Sequence, residues 1–386
     1  PKFIQNIFGG SLGGPILKDR TFIFGNWQSR RTTQGASRNR TVYTPEVKAG
    51  QFRWRSAAGQ PVQTFDIFRA DPRGIGIDPK VKEAISIMPD PNNFDVGDGL
   101  NLGGYRFNVP ATATEDQYTI KVDHTLSSNH RLFYRHSRQD QSSIDTLNGH
   151  EMRYPGRPQG TQAQERWGFS IGSDWSLRPN LINETRFGYR AATSDFVRPD
   201  RQKGPGLDFG TVTDPINLAF AQNRNSPIWD LTNNVTLIQG KSTWKFGGGA
   251  KWQLQFAQNE AGIYPNVVLS RNFGNVPTGI GPATGITSAD RQRFEEIYNE
   301  LLGRVSSISQ TFYSNLETFQ AAGTPRSRNF NYRDYGLFFQ NDYKLTRRYS
   351  VSANFTYDTD LEKARKLIKE VGKEFLANPE FAPNIL

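Results

Sequence analysis

The residue types that could carry chemistry are few and poorly placed for it. There is no cysteine, which excludes a disulfide scaffold, a Cys-based zinc site and a thiol nucleophile. The four histidines, His124, His130, His136 and His150, are too few and too strand-like in spacing to make a metal centre. Asp95-Val96-Gly97-Asp98-Gly99 gathers two carboxylates in a turn, but its spacing fails the EF-hand pattern. Ordinary turn chemistry is the expectation there, ahead of Ca²⁺ binding. Gly247-Gly248-Gly249 opens no helix and so makes no phosphate loop; inside a strand it would relieve crowding or curve the wall. No nucleophile elbow, Walker loop or HExxH pair is present. No catalytic, cofactor or metal residue is expected, and no enzyme.

The net charge is +10. Basic residues mix with an aromatic in Arg30, Arg31, Arg38, Arg40, Arg53, Trp54 and Arg55. Yet the cations form no single stripe and no RNA-recognition motif, so no nucleic-acid partner is expected. Solvated loops, or loops meeting anionic lipopolysaccharide, fit the charge better.

The 386 residues allow two or three domains, or one large one. Only 35% are hydrophobic but 12% are aromatic, with 36 glycines and 22 prolines. That composition suits β structure with many turns rather than a helical bundle or a doubly wound α/β enzyme. No apolar run approaches the ~18–20 residues of a membrane helix. The chain opens at Pro1 without an initiator Met or a positive-then-apolar leader, so it reads as a fragment or processed product.

The elements follow from strict alternation. From Trp244 the even positions read Trp244, Phe246, Gly248, Ala250, Trp252, Leu254 and Phe256, against Lys245, Gly247, Gly249, Lys251, Gln253 and Gln255. A soluble strand usually runs ~5–6 residues, whereas a tilted membrane-spanning strand needs ~9–11. Val235 and Leu237 precede, and Gln239-Gly240-Lys241-Ser242 turns. The same construction recurs. Tyr118, Ile120 and Val122 alternate with Lys121 and Asp123 before a Ser127-Ser128-Asn129 turn. Trp167, Phe169, Ile171 and Trp175 share a face, Arg178-Pro179-Asn180 turns, and Thr185, Phe187 and Tyr189 return beside Arg186. Tyr335, Leu337, Phe339 and Tyr343 oppose Gln340 and Asp342, with Tyr349, Val351, Ala353 and Phe355 returning. Phe8, Gly10, Leu12 and Ile16 make a fifth hairpin with Phe22 and Phe24.

Turns within hairpins are short, whereas the links between them, roughly 28–115, 136–165, 190–230 and 257–333, are long. Short turns on one side and long loops on the other are the layout of a transmembrane β-barrel. Lipid-facing positions would be Trp167, Phe169, Ile171, Trp244, Phe246, Trp252, Leu254, Tyr335, Leu337 and Phe339. Lumen-facing positions would be Lys121, Asp123, Arg186, Lys245, Lys251 and Asp342. The fold expected is all-β: a partial antiparallel barrel of about ten long strands, an open, strongly curved sheet. Two sheets packed face to face would instead indicate a soluble or surface β-rich binding protein. Within the last long link, residues 290–303 have the pattern of a short amphipathic helix.

At these residues the chain resembles a known family. Phe8-Gly9-Gly10-Ser11-Leu12-Gly13-Gly14-Pro15-Ile16, with Lys18-Asp19-Arg20-Thr21-Phe22-Ile23-Phe24, resembles the first barrel hairpin of large TonB-dependent outer-membrane receptors. The subgroup is the one with an N-terminal carboxypeptidase-regulatory-like domain. The Tyr118–Tyr134 hairpin, Asn183-Glu184 with Arg186-Phe187-Gly188-Tyr189, Gly240–Gly248, and Tyr335-Gly336-Leu337-Phe338-Phe339-Gln340-Asn341-Asp342-Tyr343-Lys344 match in the same order, over residues 3–355. The resemblance implies a 22-stranded barrel in the outer membrane of a Gram-negative-type envelope. It also implies an internal plug, contact with the TonB complex, and uptake of an unidentified scarce, bulky ligand. About ten strands with the plug absent would be a fragment not competent alone.

From Asp360 the period becomes helical through Leu361, Ala364, Leu367, Ile368, Val371 and Phe375. Tyr357-Asp358-Thr359-Asp360-Leu361-Glu362-Lys363-Ala364 with Asn378-Pro379-Glu380 is similar to a cytoplasmic segment of small-conductance mechanosensitive channels. The expected division is therefore 1–355 barrel and 356–386 amphipathic tail, foreign in character to the barrel, with a junction near 352–358. A channel-related fragment is the minor alternative.

Overall fold

The computed structural model describes residues 3–356 apart from 146–150, 199–203, 217–218, 270–273 and 347–348, together with Glu370 and Lys373. The tail helix expected from Asp360 thus lies outside the described residues, except that Glu370 and Lys373 are helical and exposed.

Hairpins build the wall. β1 (Phe3–Leu17) returns as β2 (Thr21–Tyr43). The connection that follows holds α1 (Pro45–Lys48), β3 (Gln51–Trp54), β4 (Gln63–Asp66), α2 (Pro79–Ile85) and β5 (Leu102–Pro110). Next come β6 (Ala113–Ser127) with β7 (His130–Ile144), and β8 (Thr161–Arg178) with β9 (Leu181–Val197). Short β10 (Gly206–Asp208) and β11 (Gln222–Asn225) precede the hairpin of β12 (Ile228–Gln239) and β13 (Ser242–Asn259). β14 (Asn266–Leu269), α3 (Ser288–Leu301) and β15 (Val305–Ser309) lie before the last pair, β16 (Arg326–Lys344) and β17 (Ser350–Thr356).

Twelve strands form one sheet. Long neighbours pair antiparallel in the order β1-β2-β6-β7-β8-β9-β12-β13-β16-β17. β5 pairs with the far end of β2, and β11 bridges β9 and β13 beyond the end of β12. Among the described residues β1 and β17 pair on one side only, so the sheet is open. The tight turns of the hairpins β1–β2, β6–β7, β8–β9 and β12–β13 fall at one end of the strands. Gly240 takes a positive φ of 59° to close one of them, a conformation glycine adopts without steric cost.

The strands outrun the expected boundaries. β2 continues to Tyr43, β8 starts at Thr161, β9 reaches Val197 and β16 starts at Arg326. Much of each link is therefore strand. In the extension of β2 both parities are polar, as in Arg38, Asn39 and Arg40, so alternation fades in that strand while its backbone ladder with β5 continues. A second correction concerns the first hairpin. Phe22 and Phe24 pair with Asp123 and Lys121 on the polar face, and Ile23 and Trp27 hold the apolar one. A one-residue change of parity moves every side chain to the opposite face.

The dry interior is not in the wall. Val42, Tyr43, Val47, Phe52, Ile67, Val81, Met88, Tyr154, Phe209, Leu269, Phe294, Ile297, Tyr298, Leu301 and Leu302 form one cluster, each less than a tenth exposed. Apart from Val42, Tyr43 and the ends of short strands, these residues come from the long connections, which together fold into a packed cap at the end opposite the turns.

Candidate functional site

The register settles which residues share a face. Trp167, Phe169 and Ile171 on β8 stand opposite Ala191, Tyr189 and Phe187 on β9. Tyr189 and Phe187 stand opposite Trp229 and Leu231 on β12, which pair with Trp252 and Ala250 on β13. Ala250 faces Tyr335, Gly248 faces Leu337 and Phe246 faces Phe339 on β16. With Trp244 and Leu254, which share the parity of Phe246, all ten residues expected on the apolar side lie on one face. Among the described residues that face is uncovered: Leu337 is 67% and Tyr335 64% exposed. Its rings pack laterally, with Tyr189 and Trp229 centroids 4.2 Å apart and Trp167 5.0 Å from Tyr189.

The six charged residues lie on the other face. Lys121 pairs with Asp123 at 2.8 Å, Arg186 with Asp174, and Lys245 with Asp342 at 4.0 Å. Gly172 is flat so that the Phe133 ring can lie across it; a Cβ there would sit 2.0 Å from that ring. Arg186 and Lys121 approach the ring to 5.2 and 5.9 Å. In the glycine run, Leu337 and Phe338 occupy the space that Cβ atoms on Gly248 and Gly247 would need, which is the relief of crowding expected there.

The same face holds a cleft of about 400 Å³ between β7, β8, β9, β12 and β13. Arg135, Arg190, Lys251 and Asp230 line it over a floor of Gly168 and Gly188. Sequence reading singled out Lys251 but missed Arg135 and Arg190. Their parity matches Lys121 and Arg186, and laying the strands in register would have found them.

The cap is held by buried polar knots. Glu300 at the end of α3 is fully buried. Its carboxylate accepts from the hydroxyls of Tyr43 and Thr211 and from the backbone N–H of Gly210 at 2.6 Å and Thr211 at 2.9 Å. Glu151, 4% exposed, takes Arg38 at 2.5 Å and Arg40 at 3.0 Å. Burial pushes the Glu151 carboxyl up, but the two guanidiniums outweigh it and hold the group below its ordinary range. Asp98 accepts the N–H groups of Leu100, Asn101 and Leu102 at 3.0, 2.7 and 2.8 Å and meets Arg293 at 3.2 Å. The Asp95–Gly99 segment thus does turn work, as expected. α3 is capped by the Thr287 hydroxyl accepting from Asp290 N–H, and it buries Phe294, Ile297, Tyr298 and Leu301, as its helical pattern predicted.

Residues 1–362 match the family described as outer membrane beta barrel domain, and the chain belongs to that family. Its place is accordingly the outer membrane. No curated protein matches. Among solved structures it is similar to the outer membrane transporter YddB from Escherichia coli, with 11% identity over 92% of this chain and 34% of that one, at a TM-score of 0.44. It is also similar to the siderophore receptor PirA from Acinetobacter baumannii, with 10% identity over 91% of this chain and 36% of that one, at 0.40. The ferric-catecholate import receptor Fiu from E. coli K12 shows 11% identity over 92% and 53%, at 0.31. The chain spans a third to a half of the length of these structures.

Proposed function

We propose that this chain is barrel wall and loop cap of a TonB-dependent outer-membrane receptor of the carboxypeptidase-regulatory-like subgroup, a transporter for a scarce, bulky ligand and not an enzyme. Residues 1–355 are the barrel portion and 356–386 a helical tail. Trp167, Phe169, Ile171, Trp244, Phe246, Trp252, Leu254, Tyr335, Leu337 and Phe339 meet lipid. Lys121, Asp123, Arg186, Lys245, Lys251 and Asp342 face the lumen, where the plug domain of the parent sits, with the TonB complex as its energy source. The cap meets lipopolysaccharide at its rim and the incoming ligand at its surface. Transport belongs to a longer barrel, because two open edges leave backbone groups unpaired in hydrocarbon.

The observation that carries this reading is the single register that sorts ten apolar and six charged residues onto opposite faces of strands of up to 23 residues. A soluble sandwich would bury the aromatic face, yet that face is open here while the dry core lies elsewhere. The glycine-rich first hairpin adds the sequence resemblance. The test is reconstitution into vesicles containing brominated lipid. The wall tryptophans should be strongly quenched, and the chain should need detergent to stay monomeric. A water-soluble monomer with a cooperative melting transition and no quenching would favour a soluble binding protein.

A further inference from the structure

The polar face carries two kinds of cation. Lys121, Arg186 and Lys245 each have a carboxylate beside them. Arg135, Arg190 and Lys251 have no carboxylate within 4.0 Å among the described residues, and all three are exposed. They line the cleft together. The register runs from Arg135 on β7 through Ser170 on β8, Gly188 on β9 and Asp230 on β12 to Lys251 on β13, with Arg190 in the next row. At ~4.8 Å per strand, Arg135 and Lys251 stand roughly 19 Å apart along the wall, with Arg190 between them.

The floor is bare. Gly188 carries no side chain, and Gly168 cannot be given one, because a Cβ there would lie 2.5 Å from the Tyr189 carbonyl oxygen. Three cations thus surround about 400 Å³ of open space with Asp230 as the one carboxylate in its lining, while Asp334 stands across from Lys251 on β16, outside the cleft. Guanidinium groups recognise carboxylates and phosphates through paired N–H donors, and an ammonium adds a point charge. The spacing is too wide for one small anion to reach all three.

We propose that this cleft binds a soluble polyanion carrying two or more carboxylate or phosphate groups, held by Arg135, Arg190 and Lys251 over the glycine floor. The proposal deepens the receptor reading, since it gives the lumen a subsite and the cargo a charge class. Asp230 opposes the site and limits its affinity. An acidic protein surface is the competing occupant, and it would leave small polyanions weakly bound.

The test is calorimetric titration of the full chain in neutral detergent with tripolyphosphate at low ionic strength. Saturable one-site binding is expected. The triple variant R135Q/R190Q/K251Q should weaken it at least tenfold, and D230N should tighten it severalfold. K245Q removes the same charge from the same face, but at a cation that already has Asp342, and it should shift binding less than twofold. If the triple variant loses its strand signal in circular dichroism, R190Q alone carries the test, with a loss of at least threefold expected. Absence of saturable binding, or an equal loss per charge in K245Q and the cleft variants, would overturn the proposal. A chain that fails to enter lipid sinks the importer reading and leaves this titration valid. A chain that enters lipid but titrates without preference for the cleft sinks the subsite alone.

Discussion

In the wall the large apolar side chains point away from the protein, with Leu337 67% exposed; in the cap Phe294, Ile297 and Leu301 are at 0%. The two regions share one chain and nearly the same residue types, but different forces hold them. The wall rests on its backbone ladder and lateral ring contacts, and its apolar face is the one we propose meets hydrocarbon. The cap rests on water exclusion and on carboxylates such as Glu300 that knit several connections together. Damage should therefore stay within the region where it is made.

The largest effect should come from Phe294→Ala. The ring packs edge-on against Phe52 and Phe65 at 5.2 Å each, so its removal leaves a cavity worth about 3–5 kcal/mol. Hydrogen exchange should rise across residues 42–109 and 263–302 and stay unchanged in β8, β9 and β13. A rise in the wall strands as well would break the separation. The mirror experiment is Phe246→Arg on the apolar face. A cation near the bilayer midplane costs about 2–4 kcal/mol, read from denaturant unfolding in vesicles, with exchange in the cap unaffected.

One buried carboxyl should give the cap a pH dependence of its own. Burial raises the Asp214 carboxyl from 3.8 to about 6, although the Phe209 N–H pulls the other way. Between those values the folded cap keeps a proton that the unfolded chain has released. The stability this group supplies is complete below the unfolded value and is lost as pH rises through the folded one. Cap stability should therefore fall as pH rises from 3.8 to about 6 and level off above that, read as hydrogen exchange corrected for its intrinsic pH dependence, and Asp214→Asn should remove that component. A pH effect that survives in D214N would assign it to another group. The smallest change is expected from Lys80→Ala. Its partner Glu83 lies 3.0 Å away but both are more than 70% exposed, so stability should move by less than about 0.5 kcal/mol.

The wall was legible because an apolar face and a polar face impose a period of two. Trp244 to Phe256 announces a face without any neighbour in view, and the turn residues fix its partner strand. Phe22 and Phe24 misled because aromatics occur on the polar face too, where Phe133 covers Gly172. The cap was mostly illegible. Val42, Phe52, Ile67, Tyr154 and Phe209 come from separate short segments with no shared period, and only α3 is long enough to show one. The cleft was half legible: Lys251 follows from alternation, but the convergence of Arg135 and Arg190 on it appears only when five strands are laid in register.

The stacked rings also give the molecule two built-in optical channels. Six of its seven tryptophans stand on wall strands, several in contact with other aromatics, whereas Trp54 is sealed against Phe52 in the cap. Neighbouring chromophores at 4–6 Å exchange excitation, so near-ultraviolet dichroism will track assembly of the sheet. A single W54F replacement would silence the other channel, letting the folding order of the two regions be timed without any attached dye.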